Sequence, residues 1–268
     1  MIATDLDGTL LRSDSTLSER TRAALRSARR AGIDVVVATA RPARVIDQIF
    51  PDDGLIDLAI CGNGAATYAP DIRRLTIVHA MPVDLARRTM ATITDLIPGA
   101  GFAIEDGRRV LFEDGYRFRP TLDNDRVLVS STAELLSGPI VKLMVALPDA
   151  DPAAGWARLE PSLGPLVACT WSAPRAPLEI AARGVSKAAA LAEVCAGRQI
   201  GTADVVAFGD SVNDLSMLAW AGMPYAVANA DPSVLAATPH HTGSNDADGV
   251  AAAIEALLDL DTGEHALS

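Results

Sequence analysis

The stretch Ile2-Ala3-Thr4-Asp5-Leu6-Asp7-Gly8-Thr9-Leu10 decides the fold. Met1–Thr4 reads as a short apolar strand that stops at an acidic turn. Open α/β sheets place their ligands at the carboxyl ends of their strands, so Asp5 and Asp7 stand where chemistry is expected. Two carboxylates two residues apart can face one centre. One is then placed to attack phosphorus as an activated nucleophile. The other is placed to protonate a leaving oxygen and later to activate water. Gly8 lets the chain turn away sharply. An isolated pair of this kind is also what a plain acidic turn looks like, so the reading depends on what the rest of the chain delivers to the same edge.

Working outward, the pattern alternates. Ser18–Ala31 is expected to be a helix, with Ser18 as cap, Glu19 in the first turn and Gly32 just past the end. Asp34–Ala38 holds Val35-Val36-Val37, a continuous apolar run of the buried parallel kind. Pro42 fits the first turn of a further helix. Leu58–Cys61 is another short strand, broken by Gly62-Asn63-Gly64. From about Pro82 the texture changes. A helix over Asp84–Ile97 precedes two turn signals, Asp106-Gly107 and Asp114-Gly115, the first predicting a two-residue hairpin. A strand at Val141–Leu147, a helix at 156–164 and a strand at Leu178–Ala182 follow. Alternation then returns: Lys187–Ala196 helical, Val205–Phe208 strand, Asn213–Ala221 helical, Tyr225–Val227 strand and Gly249–Leu258 helical, with the last eight residues expected to fray. The fold class is therefore α/β: a parallel-sheet core, split in sequence, with an inserted α+β cap.

Three more segments reach the edge where Asp5 lies. Thr39, in Ala38-Thr39-Ala40-Arg41-Pro42, follows the second buried strand and opens a helix; it either caps that helix or, with nearby backbone N–H groups, holds a phosphate oxygen. Lys187, in Gly184-Val185-Ser186-Lys187, sits near a helix N-terminus, where an anion site is natural; the alternative is an ordinary solvated lysine. Gly209-Asp210-Ser211-Val212-Asn213-Asp214 follows another apolar strand and brings carboxylates that suit Mg²⁺, though an acidic helix cap would look the same. Only two of the 23 basic residues are lysines, Lys142 and Lys187, and a lysine that persists among arginines suits a place needing a compact charge. Lys142, alternating with apolar residues on an expected cap strand, is read as solvated. His240 and His241 are placed in a loop without a role.

Composition limits the remaining classes. The chain has 268 residues, 49% hydrophobic and 21% charged, which suits a globular protein with a substantial core. A net charge of -11 argues against nucleic-acid and anionic-membrane partners. Cys61, Cys169 and Cys195 form no CxxC pair and are expected to be reduced and mostly buried. No apolar run approaches the ~20 residues that cross a bilayer, and the cytoplasm is the expected compartment.

Asp5-to-Leu11, Ala38-to-Pro42, Gly184-to-Lys187 and Gly209-to-Leu218 resemble the four motifs of the haloacid dehalogenase superfamily, and more closely its Cof-like branch with a large type IIB cap. Cys61-Gly62-Asn63-Gly64-Ala65 and the run from Thr242 to Ala251 resemble the same branch. The resemblance implies a Rossmann-like core at 1–82 and 183–268 and a specificity cap at 83–182. It implies a Mg²⁺-dependent phosphatase acting on small phosphorylated metabolites such as sugar phosphates, as a monomer or homodimer. Asp5 is then the nucleophile and Asp7 the acid/base. Asp5, Asp210 and the backbone carbonyl of Asp7 are the metal ligands, and Asp214 supports them. Leu6, Thr39, Ala40, Lys187 and Asn213 are the candidate phosphate or substrate contacts. Ala40 and Ala228 stand where glycine is common in the family. A phosphomutase and a non-catalytic metabolite sensor are the competing readings. Within the cap, the hairpin over Glu105–Arg109, with Phe112, Tyr116 and Phe118, is the candidate contact with the leaving group, the aromatics being alternatively the cap's own core. Arg108 and Arg109 are read as a possible second anion contact or as solvated.

Overall fold

The computed structural model describes residues 1–51, 54–118, 125–171 and 174–265. Two sheets organise it. The larger has eight strands: β1 (Ile2–Thr4), β2 (Val35–Ala38), β3 (Leu58–Cys61), β4 (Ala66–Ala69) and β5 (Arg74–Ile77) from the first part of the chain, and β12 (Val206–Gly209), β13 (Met223–Val227) and β14 (His240–Thr242) from the last. Their order is β14-β13-β12-β1-β2-β3-β4-β5. Pairing is parallel from β14 through β3 and antiparallel at β3–β4–β5. The chain moves outward from β1 in one direction through β2 and β3, and in the other through β12 to β14. The boundary between β1 and β12 is therefore the point where strand order reverses, the usual ligand position of open α/β sheets.

The core strands are apolar on both faces because helices cover both. Val35, Val36, Val37 and Ala38 have no exposed surface, and Ala3, Ala207 and Phe208 are equally buried. The covering helices are α1 (Glu19–Arg30), α2 (Ala43–Ile49), α6 (Lys187–Arg198), α7 (Leu215–Trp220), α8 (Pro232–Ala237) and α9 (Gly249–His265). Ser18 caps α1 as expected, its side chain accepting from the Thr21 N–H at 3.0 Å. Pro42 stands one place earlier than expected, just before α2.

Between β5 and α6 the chain builds the cap. Helices α3 (Val83–Leu96), α4 (Thr132–Leu135) and α5 (Pro152–Leu163) accompany strands β6 (Gly101–Glu105), β7 (Val110–Phe112), β8 (Arg126–Leu128), β9 (Lys142–Ala146), β10 (Val167–Thr170) and β11 (Leu178–Ala182). The sheet order is β10-β11-β9-β6-β7-β8. Alternation gives this sheet two different faces. Phe102, Ile104, Leu143, Val145, Leu178 and Ile180 point to one face and pack with Met90 and Ile93 of α3 and Leu159 and Leu163 of α5. Ala103, Glu105, Lys142, Met144 and Glu179 share the other, fixed by the registers Glu105↔Lys142, Ala103↔Met144 and Glu179↔Met144.

The structure corrects several local expectations. Asp106-Gly107 does not make a two-residue hairpin: Glu105 pairs with Val110, leaving a four-residue loop. The reason is the Asp106 carboxylate, whose Oδ1 accepts from the N–H groups of Arg108 and Arg109 at 2.7 and 2.8 Å and so stabilises a wider turn. His240 and His241 lie on the edge strand β14, not in a loop. Asn213 belongs to a 3₁₀ turn, Val212–Asp214, that leads into α7. Cys61, Cys169 and Cys195 are unpaired thiols, the first and last buried.

Candidate active site

The turn after β1 carries the first carboxylate inward. Asp5 is 5% exposed, and its N–H donates to the Phe208 carbonyl of β12 at 3.0 Å, tying the two strand ends together. Gly8 has φ +78°, and a Cβ placed there would lie 2.5 Å from Asp210 Oδ2. Glycine is thus what allows the turn after β1 and the loop after β12 to meet. Thr9 donates its hydroxyl to Asp210 Oδ1 at 2.7 Å across the same junction.

Lys187 opens α6, 1% exposed, between two carboxylates. Its Nζ donates to Asp5 Oδ1 at 2.5 Å and to Asp214 Oδ1 at 2.7 Å. The other oxygen of Asp214 accepts from the N–H groups of Asp210 and Ser211 at 3.1 and 3.0 Å. Asp214 is thus fully buried with both oxygens engaged, whereas Asp210, although it also accepts from Ser211 Oγ at 3.2 Å, is only partly buried. Gly64, at φ +112°, permits the approach of the Gly62–Gly64 turn to α6, because a Cβ there would sit 2.3 Å from the Ser186 carbonyl oxygen.

The electrostatics follow from this crowding. Asp5, Asp210 and Asp214 each bring a carboxylate oxygen to within 4.8 Å of the others, against one ammonium. Burial pushes the Asp5 carboxyl well above its ordinary value; Lys187 pulls it back only in part, and Asp214 and Asp210 push it further up. Burial likewise raises Asp210, to about 6, with Asp214 adding to the effect and the Thr9 hydrogen bond opposing it. Lys187 is raised, because its two carboxylate partners outweigh its burial. A site with this excess of negative charge has room for a cation, and an all-oxygen donor set suits a hard one such as Mg²⁺. Asp5 and Asp210 are the residues fit to hold it.

The other expected residues fall into place around this centre. Thr39 is 1% exposed, and its Oγ1 accepts from the Arg41 N–H at 3.1 Å, leaving the hydroxyl proton free to donate onward. Asp7 points outward, half-exposed, and is gripped through both oxygens by Arg41, with Nε to Oδ2 at 2.6 Å. Asn213 donates to Asn63 Oδ1 at 3.3 Å, and its own Oδ1 is buried without a partner among the described residues. The Leu6 side chain is wholly buried in the core, so only its backbone can meet a ligand.

Three features escaped the sequence reading. Arg41 stood inside a quoted motif but received no role. Asn63 has φ +56° and donates through Nδ2 to Thr170 Oγ1 at 3.1 Å and Glu179 Oε2 at 3.0 Å of the cap. Lys142 is not solvated: it is 6% exposed, pairs with Glu179 Oε1 at 2.8 Å and donates to the Ala40 carbonyl at 3.1 Å. The scarcity of lysine was the signal that marked it. The hairpin tip also differs from expectation. Arg108 and Arg109 are exposed, over a surface cavity that they line with Leu75, Ile77, Asp106 and Pro139. Tyr116 is buried with Ala103, Val110 and Met144, and Phe112 and Phe118 pack against them, forming a small core of the cap's own.

Comparison with known proteins agrees with the fold. A family model for haloacid dehalogenase-like hydrolases matches residues 2–254. The 5-amino-6-(5-phospho-D-ribitylamino)uracil phosphatase YitU of Bacillus subtilis strain 168 is 26% identical over 97% of this chain and 98% of its own. The pyridoxal phosphate phosphatase YbhA of Escherichia coli K12 is 31% identical, covering 94% and 96% respectively. A haloacid dehalogenase-like hydrolase of B. subtilis superposes with a TM-score of 0.81 at 25% identity, over 95% of this chain and 98% of that one.

Proposed function

The chain belongs to the haloacid dehalogenase-like hydrolases, and from that premise we propose that it is a Mg²⁺-dependent phosphatase that takes the phosphoryl group of a small metabolite onto Asp5. The observation that carries the reading is the buried Asp5–Lys187–Asp214 triad set beside Asp210 at the point where strand order reverses.

Asp5 attacks phosphorus in line; Lys187 aims its carboxylate and favours its ionisation, against burial and the neighbouring carboxylates. Asp5, Asp210 and the Asp7 backbone carbonyl would hold Mg²⁺, which when bound offsets the repulsion between carboxylate and phosphate. Lys187, the Thr39 hydroxyl and the N–H groups of Leu6 and Ala40 meet the equatorial phosphate oxygens. Asp7 gives its proton to the leaving alcohol; it then takes one from the water that cleaves the aspartyl-phosphate. Its exposed position suits both tasks, which require an oxygen released from the two-point grip of Arg41. Residues 83–182 form the cap that closes over substrate and reopens to release product. Substrates are phosphate monoesters of small alcohols, sugar phosphates or similar metabolites, in line with the phosphorylated small molecules named for YitU and YbhA. No helix among the described residues is long and apolar enough to span a membrane, and the acidic surface suits a cytoplasmic enzyme of free metabolites.

The test is free phosphate release from a panel of phosphate monoesters, with Mg²⁺ and with EDTA. Metal-dependent release that disappears in Asp5→Asn supports the proposal. Isomerisation of a sugar phosphate without phosphate release would replace it by the mutase, and binding without turnover by the sensor.

A further inference from the structure

The loop Thr39–Arg41 is held by three carbonyls. Thr39 O accepts from the Asn63 N–H at 3.0 Å and Arg41 O from the Gly62 N–H at 3.2 Å, both from the turn after β3 in the same sheet. The middle carbonyl, Ala40 O, accepts instead from Lys142 Nζ of the cap at 3.1 Å. The peptide that follows Ala40 has its C=O on Lys142 and its N–H on Thr39 Oγ1 at 3.1 Å. A peptide is planar, so fixing its carbonyl fixes the direction of its N–H. That N–H occupies a lone pair of the Thr39 hydroxyl and so restricts the directions left to the hydroxyl proton.

We infer that Lys142 is a positioning residue: the cap, by docking its ammonium on Ala40 O, orders the Thr39 hydroxyl for phosphate. This rests on the phosphatase reading and adds to it a route by which cap closure arms the core. Lys142 is held for the task on its other side by Glu179 Oε1 at 2.8 Å, and Glu179 Oε2 takes Asn63 Nδ2 at 3.0 Å. The ammonium therefore sits at a fixed point between the sheets. A guanidinium is a wider, planar fork, and a chain with 23 basic residues keeps lysine only here and at Lys187.

The experiment compares wild type, Lys142→Met, Thr39→Val and the double variant in p-nitrophenyl phosphate hydrolysis, with inhibition by inorganic phosphate measured alongside. Lys142→Met should lower kcat/KM roughly tenfold and weaken phosphate inhibition in parallel. In the Thr39→Val background it should lower neither further, because the hydroxyl it orients is gone. Losses that multiply would overturn the inference. Hydrogen exchange of the Arg41 amide, followed by NMR, reads the coupling without turnover: it should quicken in Lys142→Met, and an unchanged rate overturns the proposal. Should wild type release no phosphate, the phosphatase reading falls while the Arg41 amide still decides this one. Lys142→Met strands the Glu179 carboxylate, so Lys142→Met with Glu179→Gln is measured in the same way, with the same two outcomes.

Discussion

The core sheet and the cap sheet each bury one lysine among carboxylate and carbonyl oxygens, yet they deliver it by different means. In the core, Lys187 arrives at a helix N-terminus and meets Asp5 and Asp214, each supplied by the loop after a parallel strand. Every participant there sits in a short contiguous motif. In the cap, Lys142 arrives at the start of a strand, and Glu105 and Glu179 join it only because register places them on one face. Local motifs make the core site; long-range pairing makes the cap's share of it.

The largest test of the contrast is Asp5→Asn, expected to cut kcat by on the order of 10⁴-fold or more while the melting temperature holds or rises. The rise follows because one of three crowded carboxylates loses its charge. Lys187→Met strands Asp5 and Asp214 in the interior; breaking such a pair costs about 3–5 kcal/mol, to be read by urea unfolding with tryptophan fluorescence. A loss below about 1 kcal/mol would mean that the triad is not the structural keystone of the core edge. On the cap side, Arg44 Nη1 and Nη2 hold Glu105 at 2.9 and 2.7 Å across the two sheets. Glu105→Gln should cost about 1–3 kcal/mol in the same assay. If it equals Lys187→Met, the distinction between the regions fails as a matter of energy.

The smallest effect concerns protons. Asp210, ordinarily near 3.8, is raised to about 6. Between these values the native state keeps a proton that the unfolded chain has released, so this group's stabilisation is full below about pH 4 and lost as pH rises through 6. In EDTA the melting temperature should fall across that window by this group's share. Mg²⁺ should restore more stability at pH 7 than at pH 5, since it competes with fewer protons. Equal stabilisation at both pH values would remove Asp210 from the set of cation ligands.

The same contrast explains what the sequence revealed. Asp5, Thr39, Lys187 and Asp210 were legible because each follows or opens an apolar element at the same sheet edge. The buried strands β2 and β3 stood out as apolar runs with turn residues after them. Strands β4 and β5 were not seen: Arg74–Ile77 alternates exposed and half-buried residues and has no such run. Lys142 looked solvated because a lone lysine on a strand usually is, and only the registers of β6, β9 and β11 show that its face turns toward the core. Asp106-Gly107 misled for a smaller reason, since an aspartate that binds two N–H groups ahead of it supports a longer loop.

The division of the core along the chain has a consequence in time. Strand β1 pairs with β2 on one side and with β12 on the other. At ribosomal speeds of ~5–20 residues per second, about 8–34 s separate the synthesis of those two neighbours of β1. Throughout that interval one side of β1 lacks its partner, and the Asp5 carboxylate waits without Asp214. A nascent chain of this protein therefore has one sheet edge to protect until its final third emerges, and its candidate site is complete only once Asp214 has been made.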